Sequence, residues 1–176
     1  MAARRIVVGV SGSAGSLQAL RYAAELARTD GAELAPVLAW TPPGGDTADR
    51  HYPNPELRRV WQRAARDRLR RAIELAFGGP PADLAFSPEV IRGDAGHVLT
   101  RVAVQSGDVL VIGAGRHGPL RRLLACHVSR YCLGHACCPV VAVPPSALAA
   151  ELHGLHGWRF RHRLHPESAG LHAADA

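Results

Sequence analysis

The sequence predicts an α/β fold: a single five-stranded parallel sheet, doubly wound in the Rossmann-like manner, with helices on both faces. Two observations predict it. Short β-branched runs alternate with helix-like stretches in the order βαβαβαβαβ, which is typical of right-handed crossovers. The first run is continuously β-branched after its two arginines, as in a strand that is buried on both faces. Ligands of such sheets bind beyond the carboxyl ends of the strands, where the strand order reverses.

The first strand is predicted over Arg4–Val10, and the small-residue turn Ser11–Ser16 can cap the helix that follows. That helix should end at Asp30-Gly31, because glycine readily adopts the left-handed C-terminal conformation. Its apolar positions form one stripe, made of Leu17, Leu20, Ala24 and Ala27.

A second strand is predicted over Glu33–Trp40, followed by a long Pro/Gly loop over Thr41–Pro55. The next helix runs from about Glu56 to Phe77 and stops at the Gly78–Pro81 segment. One of its sides is apolar, and the other carries Arg58, Arg59, Arg63, Arg66, Arg70 and Arg71.

The third strand, Leu84–Ile91, contains Pro88, which favours a place at the edge of the sheet. The first and fourth strands should be neighbours. The remaining predicted elements are a helix capped by Asp94, a fourth strand over Asp108–Gly115, a helix within Arg121–His135 and a fifth strand over Pro139–Val143.

Composition predicts one domain over 1–145 and a flexible His/Arg-rich tail over 146–176. The net charge is +6 and the chain has no lysine, so a G-x-x-x-x-G-K-[ST] phosphate loop is excluded. We find neither an apolar run long enough for a membrane span nor a signal-peptide pattern, so we expect a cytoplasmic protein with no membrane partner and with reduced cysteines.

Three segments of the chain together resemble the universal stress protein family. They are IVVGVSGSAGSLQALRYAAELA, VIRGDAGHVLTRVAVQSGDVLVIGAGRHGPLRRLL and HVSRYCLGHACCPVVAVP, and the resemblance covers about Arg4 to Pro144. It implies an adenine nucleotide hydrolase-like fold and a homodimer, which often pairs through the last strand, here Pro139–Val143. It also implies a division between members that bind ATP and members that do not.

The members that bind ATP carry a loop of the form Gly-x2-Gly-x9-Gly-Ser/Thr. Anchoring on the flanking residues reads it here as Gly113-x2-Arg116-x9-Cys126-His127, in which only the first glycine matches. A slide by two residues reads Gly115-x2-Gly118-x9-Val128-Ser129, but it misplaces the flanking strand and helix, so we prefer the first reading. Ser11 stands where ATP-binding members typically have aspartate, and it brings no charge for a nucleotide-bound metal.

The resemblance implies a nucleotide site after the first and fourth strands, with the adenine near the end of the second. Arg116 would add a charge-assisted contact to phosphate. We expect a stress-response module that binds ATP, with Mg²⁺, or a related adenine nucleotide through this degenerate loop. The expected site residues are Gly9, Val10, Ser11, Ala39, Gly113, Gly115, Arg116, Cys126, His127, Val128 and Ser129.

Two alternatives stay open: a dimeric interaction protein that binds no nucleotide, and, with less support, a slow nucleotide hydrolase. No residue can be named as a catalytic base, and His97 and His117 alone are not evidence of catalysis. The arginine face lacks an aromatic stacking platform and is interrupted by Asp67 and Glu74, so nucleic acid is not the expected partner.

No metal site is expected from the cysteines or histidines. The spacing within Cys126–Cys138 is not that of paired C-x2-C zinc ligands, and small buried thiols are the simpler interpretation. The tail histidines His153, His156, His162 and His165 form two pairs at helical spacing, for which adventitious metal binding is expected at most.

Overall fold

The computed structural model describes residues 3–51, 53–114 and 121–144, apart from the side chains of residues 46, 48 and 121–126. The tail predicted over 146–176 and its histidine pairs lie outside this part of the chain, as does His117. Among the described residues, no helix is both long and apolar enough to cross a membrane.

The strands form one parallel sheet in the order β3-β2-β1-β4-β5, which confirms the predicted fold class and the pairing of the first and fourth strands. The strands are β1 (Arg5–Gly9), β2 (Glu33–Trp40), β3 (Glu89–Arg92), β4 (Asp108–Gly113) and β5 (Val140–Val143). The helices are α1 (Ala14–Asp30), α2 (Gly45–His51), α3 (Pro55–Phe77), α4 (Ala95–Val102) and α5 (Arg121–His135).

Two apolar layers enclose the sheet, because successive side chains of a buried strand point to opposite faces. In β1, Ile6 and Val8 pack in the layer that also holds the buried residues of α1 and α3. Val7 points to the other face, where it joins Val98 of α4 and Cys132 of α5. The buried thiol expected within Cys126–Cys138 is therefore found at Cys132, whereas Cys137 is exposed.

The helix ends follow the predicted capping residues. Ser13 caps α1, and Gly31 ends it in the left-handed conformation with φ 64°. Gly78 ends α3 in the same way with φ 76°, and the Asp94 carboxylate accepts the N–H groups of Gly96 and His97 at the start of α4.

Two predicted boundaries are wrong. The loop predicted over Thr41–Pro55 contains the short helix α2, which has no amphipathic pattern to reveal it. The third strand is β3 rather than Leu84–Ile91, because Pro88 interrupts the chain between one isolated bridge, from Leu34 to Phe86, and the regular ladder. Its predicted place at the sheet edge is confirmed.

A buried ion pair joins β1 and β4 at the amino edge of the sheet. The Arg5 guanidinium donates to both carboxylate oxygens of Asp108, at 3.0 and 2.8 Å, and also to the carbonyl of Val102. The Asp108 side chain is only 1% exposed, and it also accepts the N–H of Gln105. The pKa of Arg5 is raised chiefly by this hydrogen bond.

Candidate functional site

The strand order reverses between β1 and β4, so a crevice is expected at their carboxyl ends. The two strands are hydrogen-bonded neighbours in register, with Val8 opposite Val111. The backbone ladder continues one residue past each strand, because the N–H of Val10 donates to Val37 and that of Ala114 donates to Val143. The chain therefore leaves the sheet at neighbouring positions after β1 and after β4.

Three serines organise the turn between β1 and α1. The Ser11 and Ser13 hydroxyl oxygens lie 3.0 Å apart, and the Ser13 hydroxyl also accepts the N–H of Ser16. Gly12 between them has φ 81°, a conformation that favours glycine. The exposed Ser11 therefore presents a neutral hydroxyl that is already bonded locally.

The face of the sheet that packs on α4 and α5 brings Gly9, Ala39 and Val128 to the same layer. Ala39 and Val128 are half-buried against its core. A Cβ on Gly9 would lie 2.9 Å from a methyl carbon of Leu99 and 3.7 Å from one of Ile112. The absence of a side chain at Gly9 thus lets Leu99 approach the end of β1 closely. Ala39 places only a methyl group near the end of β2.

Gly113 points to the opposite face of the sheet, where it contacts α1. A Cβ on Gly113 would lie 2.7 Å from the carbonyl oxygen of Gly15 and 3.2 Å from the backbone nitrogen of Ser16. Real Cβ atoms almost never approach backbone so closely. The glycine that matches the first position of the family loop is therefore required by the packing of α1 on β4.

The structure describes only some of the predicted site residues in α5 and in the segment before it. His127 is exposed, and Val128 and Ser129 are half-buried, all within α5. The side chain of Cys126 and the residues Gly115 and Arg116 lie outside the described structure.

A buried carboxylate that the sequence analysis missed lies near the carboxyl ends of β2 and β3. Asp49 of α2 has a side chain only 4% exposed, and its Oδ2 lies 2.8 Å from a guanidinium nitrogen of Arg92 and 3.2 Å from one of Arg58. The Arg92 guanidinium lies 6.0 Å from the ring centroid of Trp40, the last residue of β2. Asp49 therefore ties α2 to α3 and to the end of β3. Asp49 lies in a polar segment without an apolar pattern, so no signal in the sequence marked it as buried.

The described thiols and histidines on the α4 and α5 side differ in their surroundings. Among the described residues, no three histidine, cysteine, aspartate or glutamate side chains are placed to hold a metal ion. The Tyr131 ring stacks on His135 and contacts His97, with centroids 4.1 and 4.5 Å apart. Burial raises the pKa of the Cys132 thiol to about 11, so this thiol stays protonated at neutral pH.

The family model that matches the chain is that of the universal stress protein family, over residues 2–144. No curated protein sequence is significantly similar to the chain. Among solved structures, the universal stress protein UspA from Lactobacillus plantarum is similar, with 20% identity and a TM-score of 0.60, over 81% of this chain and 99% of that one.

Two further solved structures of the same fold contain adenine nucleotides. A universal stress protein in complex with cAMP is 24% identical, covers 83% of this chain and 100% of its own, and has a TM-score of 0.53. The universal stress protein from Archaeoglobus fulgidus in complex with dAMP is 18% identical, covers 81% of this chain and 99% of its own, and has a TM-score of 0.52.

Proposed function

The chain belongs to the universal stress protein family, and from this premise we propose that it binds ATP or a related adenine nucleotide in the crevice at the carboxyl ends of β1 and β4. The base lies near Ala39, and the phosphates lie by the turns that follow β1 and β4. The site comprises Gly9, Val10, Ser11, Ala39, Gly113, Gly115, Arg116, Cys126, His127, Val128 and Ser129.

The observation that carries this proposal is the arrangement at the point where the strand order reverses. The turn after β1 leads directly into α1, whose first N–H groups have no partners within the helix and favour an anion. The turn after β4 begins beside it, since β1 and β4 are paired. The small side chain of Ala39 leaves room for a base at the end of β2, whereas the space beside Gly9 is taken by Leu99.

The solved relatives with cAMP and dAMP support the choice of an adenine nucleotide as ligand. Because their sequence identity to this chain is low, their similarity shows only the shared fold. The binding of an adenine nucleotide by this chain is therefore part of the proposal. A crevice at the same place in the same fold can bind the same class of ligand when the residues that line it leave room for that ligand.

The β1–α1 turn offers few protein ligands for Mg²⁺. Ser11 is neutral and bonded to Ser13, and the first turn of α1 contains no acidic residue. Mg²⁺ prefers carboxylate or phosphate oxygens and keeps several waters. Any magnesium ion would therefore be held mainly by the phosphates of the nucleotide. We accordingly expect ATP to bind with and without Mg²⁺.

Titration calorimetry with ATP, AMP and cAMP, with and without Mg²⁺, tests the proposal. Ala39→Leu adds three carbon atoms at the proposed base position and should weaken the binding of all three nucleotides. Ala85→Leu is the matched control, because Ala85 is exposed and its carbonyl accepts the N–H of Leu34, near the start of β2 and away from Ala39. Absence of binding at millimolar nucleotide, or equal binding by the Ala39→Leu variant, would count against the site.

The alternative function, a dimeric interaction protein without nucleotide, is favoured by one specific observation. Gly113 is explained by its contact with Gly15 alone, so its presence does not require a phosphate. In this case β5, an edge strand with exposed Ala142, would pair with a second copy. Sedimentation equilibrium of the wild type and of Ala142→Pro, which blocks strand pairing, tests the dimer separately from nucleotide binding.

A further inference from the structure

The side chain of Arg68, in the middle of α3, lies against the turn between β1 and α1. A Cβ on Gly12 would be 3.4 Å from Cγ of Arg68 and 3.7 Å from its Cδ. Gly12 has neither a Cβ nor a negative φ, so the arginine stem can lie directly beside the turn. The stem of Arg68 therefore lies beside the turn that contains Ser11 and Ser13.

The packing of α1 beside α3 fixes this position. Both helices return from the carboxyl edge of the sheet and pack in the same apolar layer, so they run in the same direction. Near the end of α3, the Arg21 guanidinium of α1 donates to the carbonyls of Leu75 and Ala76, at 2.8 and 3.3 Å. These bonds fix the position of α3 along α1, so that the stem of Arg68 lies beside Gly12.

The charge of Arg68 is not neutralised within the described part of the chain. Arg68 is exposed and makes no ion pair or hydrogen bond with a described residue. The neighbouring carboxylate of Asp67 is bonded instead to Arg70, at 3.2 Å. The turn itself is neutral, with serine hydroxyls, and the start of α1 has no acidic side chain.

We propose that Arg68 is a phosphate-binding residue, which supplies from α3 a positive charge for the phosphates of the nucleotide in the crevice. This inference rests on the proposed function. An arginine can make paired hydrogen bonds to phosphate oxygens, and the partial positive charge at the start of α1 adds to its attraction for an anion. Arg68 thereby sets a preference for nucleotides with several phosphates over the nucleoside.

Calorimetry with adenosine, AMP and ATP on the wild type, Arg68→Gln and Arg66→Gln tests this role. Arg66→Gln is the matched control, because Arg66 is exposed on the same helix and its loss changes the net charge equally. Arg68→Gln should weaken ATP binding about tenfold, as expected for one charge-assisted contact, and weaken AMP binding less. Adenosine binding should be unchanged in both variants, and Arg68→Lys should retain only part of the ATP affinity, because lysine keeps the charge but not the paired hydrogen bonds.

The possible outcomes separate this inference from the proposed function. If the wild type binds ATP and Arg68→Gln binds it equally well, the role of Arg68 is refuted while the nucleotide site stands. An equal loss in Arg66→Gln would show only an effect of net charge, and a parallel loss of adenosine binding would show a distorted turn; either result refutes the role. If the wild type binds no nucleotide, both proposals fail.

Salt dependence gives a second readout that a purely structural role would not change. The difference in ATP affinity between the wild type and Arg68→Gln should shrink as salt is raised, since salt screens an exposed charge. A difference that is independent of salt would contradict a direct phosphate contact.

Discussion

Gly113, at the end of β4, lies directly against the backbone of Gly15 in the first turn of α1. A Cβ on Gly113 would be only 2.7 Å from the Gly15 carbonyl oxygen. The contact sets how closely α1 approaches the strand, and it therefore positions the start of α1 beside the end of β4. A glycine that the family resemblance places in the expected nucleotide loop thus has a structural role of its own.

Substituting Gly113 with alanine should lower the free energy of unfolding by about 1–3 kcal/mol, because backbone atoms must move to make room for the methyl group. Gly134→Ala is the matched control. A Cβ on Gly134, within α5, would meet no atom within 4 Å, and alanine should stabilise the helix by up to about 1 kcal/mol. Urea denaturation measures both, and an unchanged stability of Gly113→Ala would refute the close contact.

Gly113 and Gly15 also illustrate which features of the structure could be predicted from the sequence and which could not. The β-branched runs and capping residues predicted β1, α1 and the strand pairing, because burial and capping leave local patterns such as those of Ser13 and Gly31. The contact of Gly113 with Gly15 leaves no local pattern, since the two residues are far apart in the chain. The helix α2 was missed for a related reason: it is held by the contacts of Asp49 rather than by an apolar stripe.

Asp49→Ala should loosen α2 from the carboxyl edge of the sheet. Removing a nearly buried carboxylate leaves Arg58 and Arg92 without this partner, and we expect a loss of about 2 kcal/mol in stability. Limited proteolysis should cut sooner within residues 41–54. Asp67→Ala, which removes an exposed pair with Arg70, should change neither stability nor cleavage appreciably. Equal cleavage of the wild type and Asp49→Ala would contradict the anchoring role.

Asp108→Ala should destabilise the domain by about 3 kcal/mol, because Arg5 would be left partly buried without its carboxylate. The N–H of Gln105 would lose its acceptor as well. Thermal or urea unfolding with Asp67→Ala as the exposed control measures the effect. A loss no greater than that of the control would show that the Arg5–Asp108 pair contributes little to stability.

Thiol reactivity should differ sharply between two cysteines of the α5–β5 region. Cys137 is exposed, whereas Cys132 is buried and burial raises its pKa to about 11. At pH 8 a maleimide should therefore modify Cys137 within minutes and leave Cys132 unmodified until the protein is unfolded. Peptide mapping by mass spectrometry distinguishes the sites, and the unfolded protein is the control. Early modification of Cys132 in the folded protein would refute its burial.

Hydrogen exchange of the full chain with and without ATP, resolved by peptide, tests whether nucleotide binds between the turns after β1 and β4. We expect slower exchange on ATP addition in peptides that cover residues 9–16 and 127–131, with little change in the peptide that covers 82–87 before β3. Unchanged exchange at saturating ATP, or protection confined to other parts of the chain, would contradict a nucleotide site between the turns after β1 and β4.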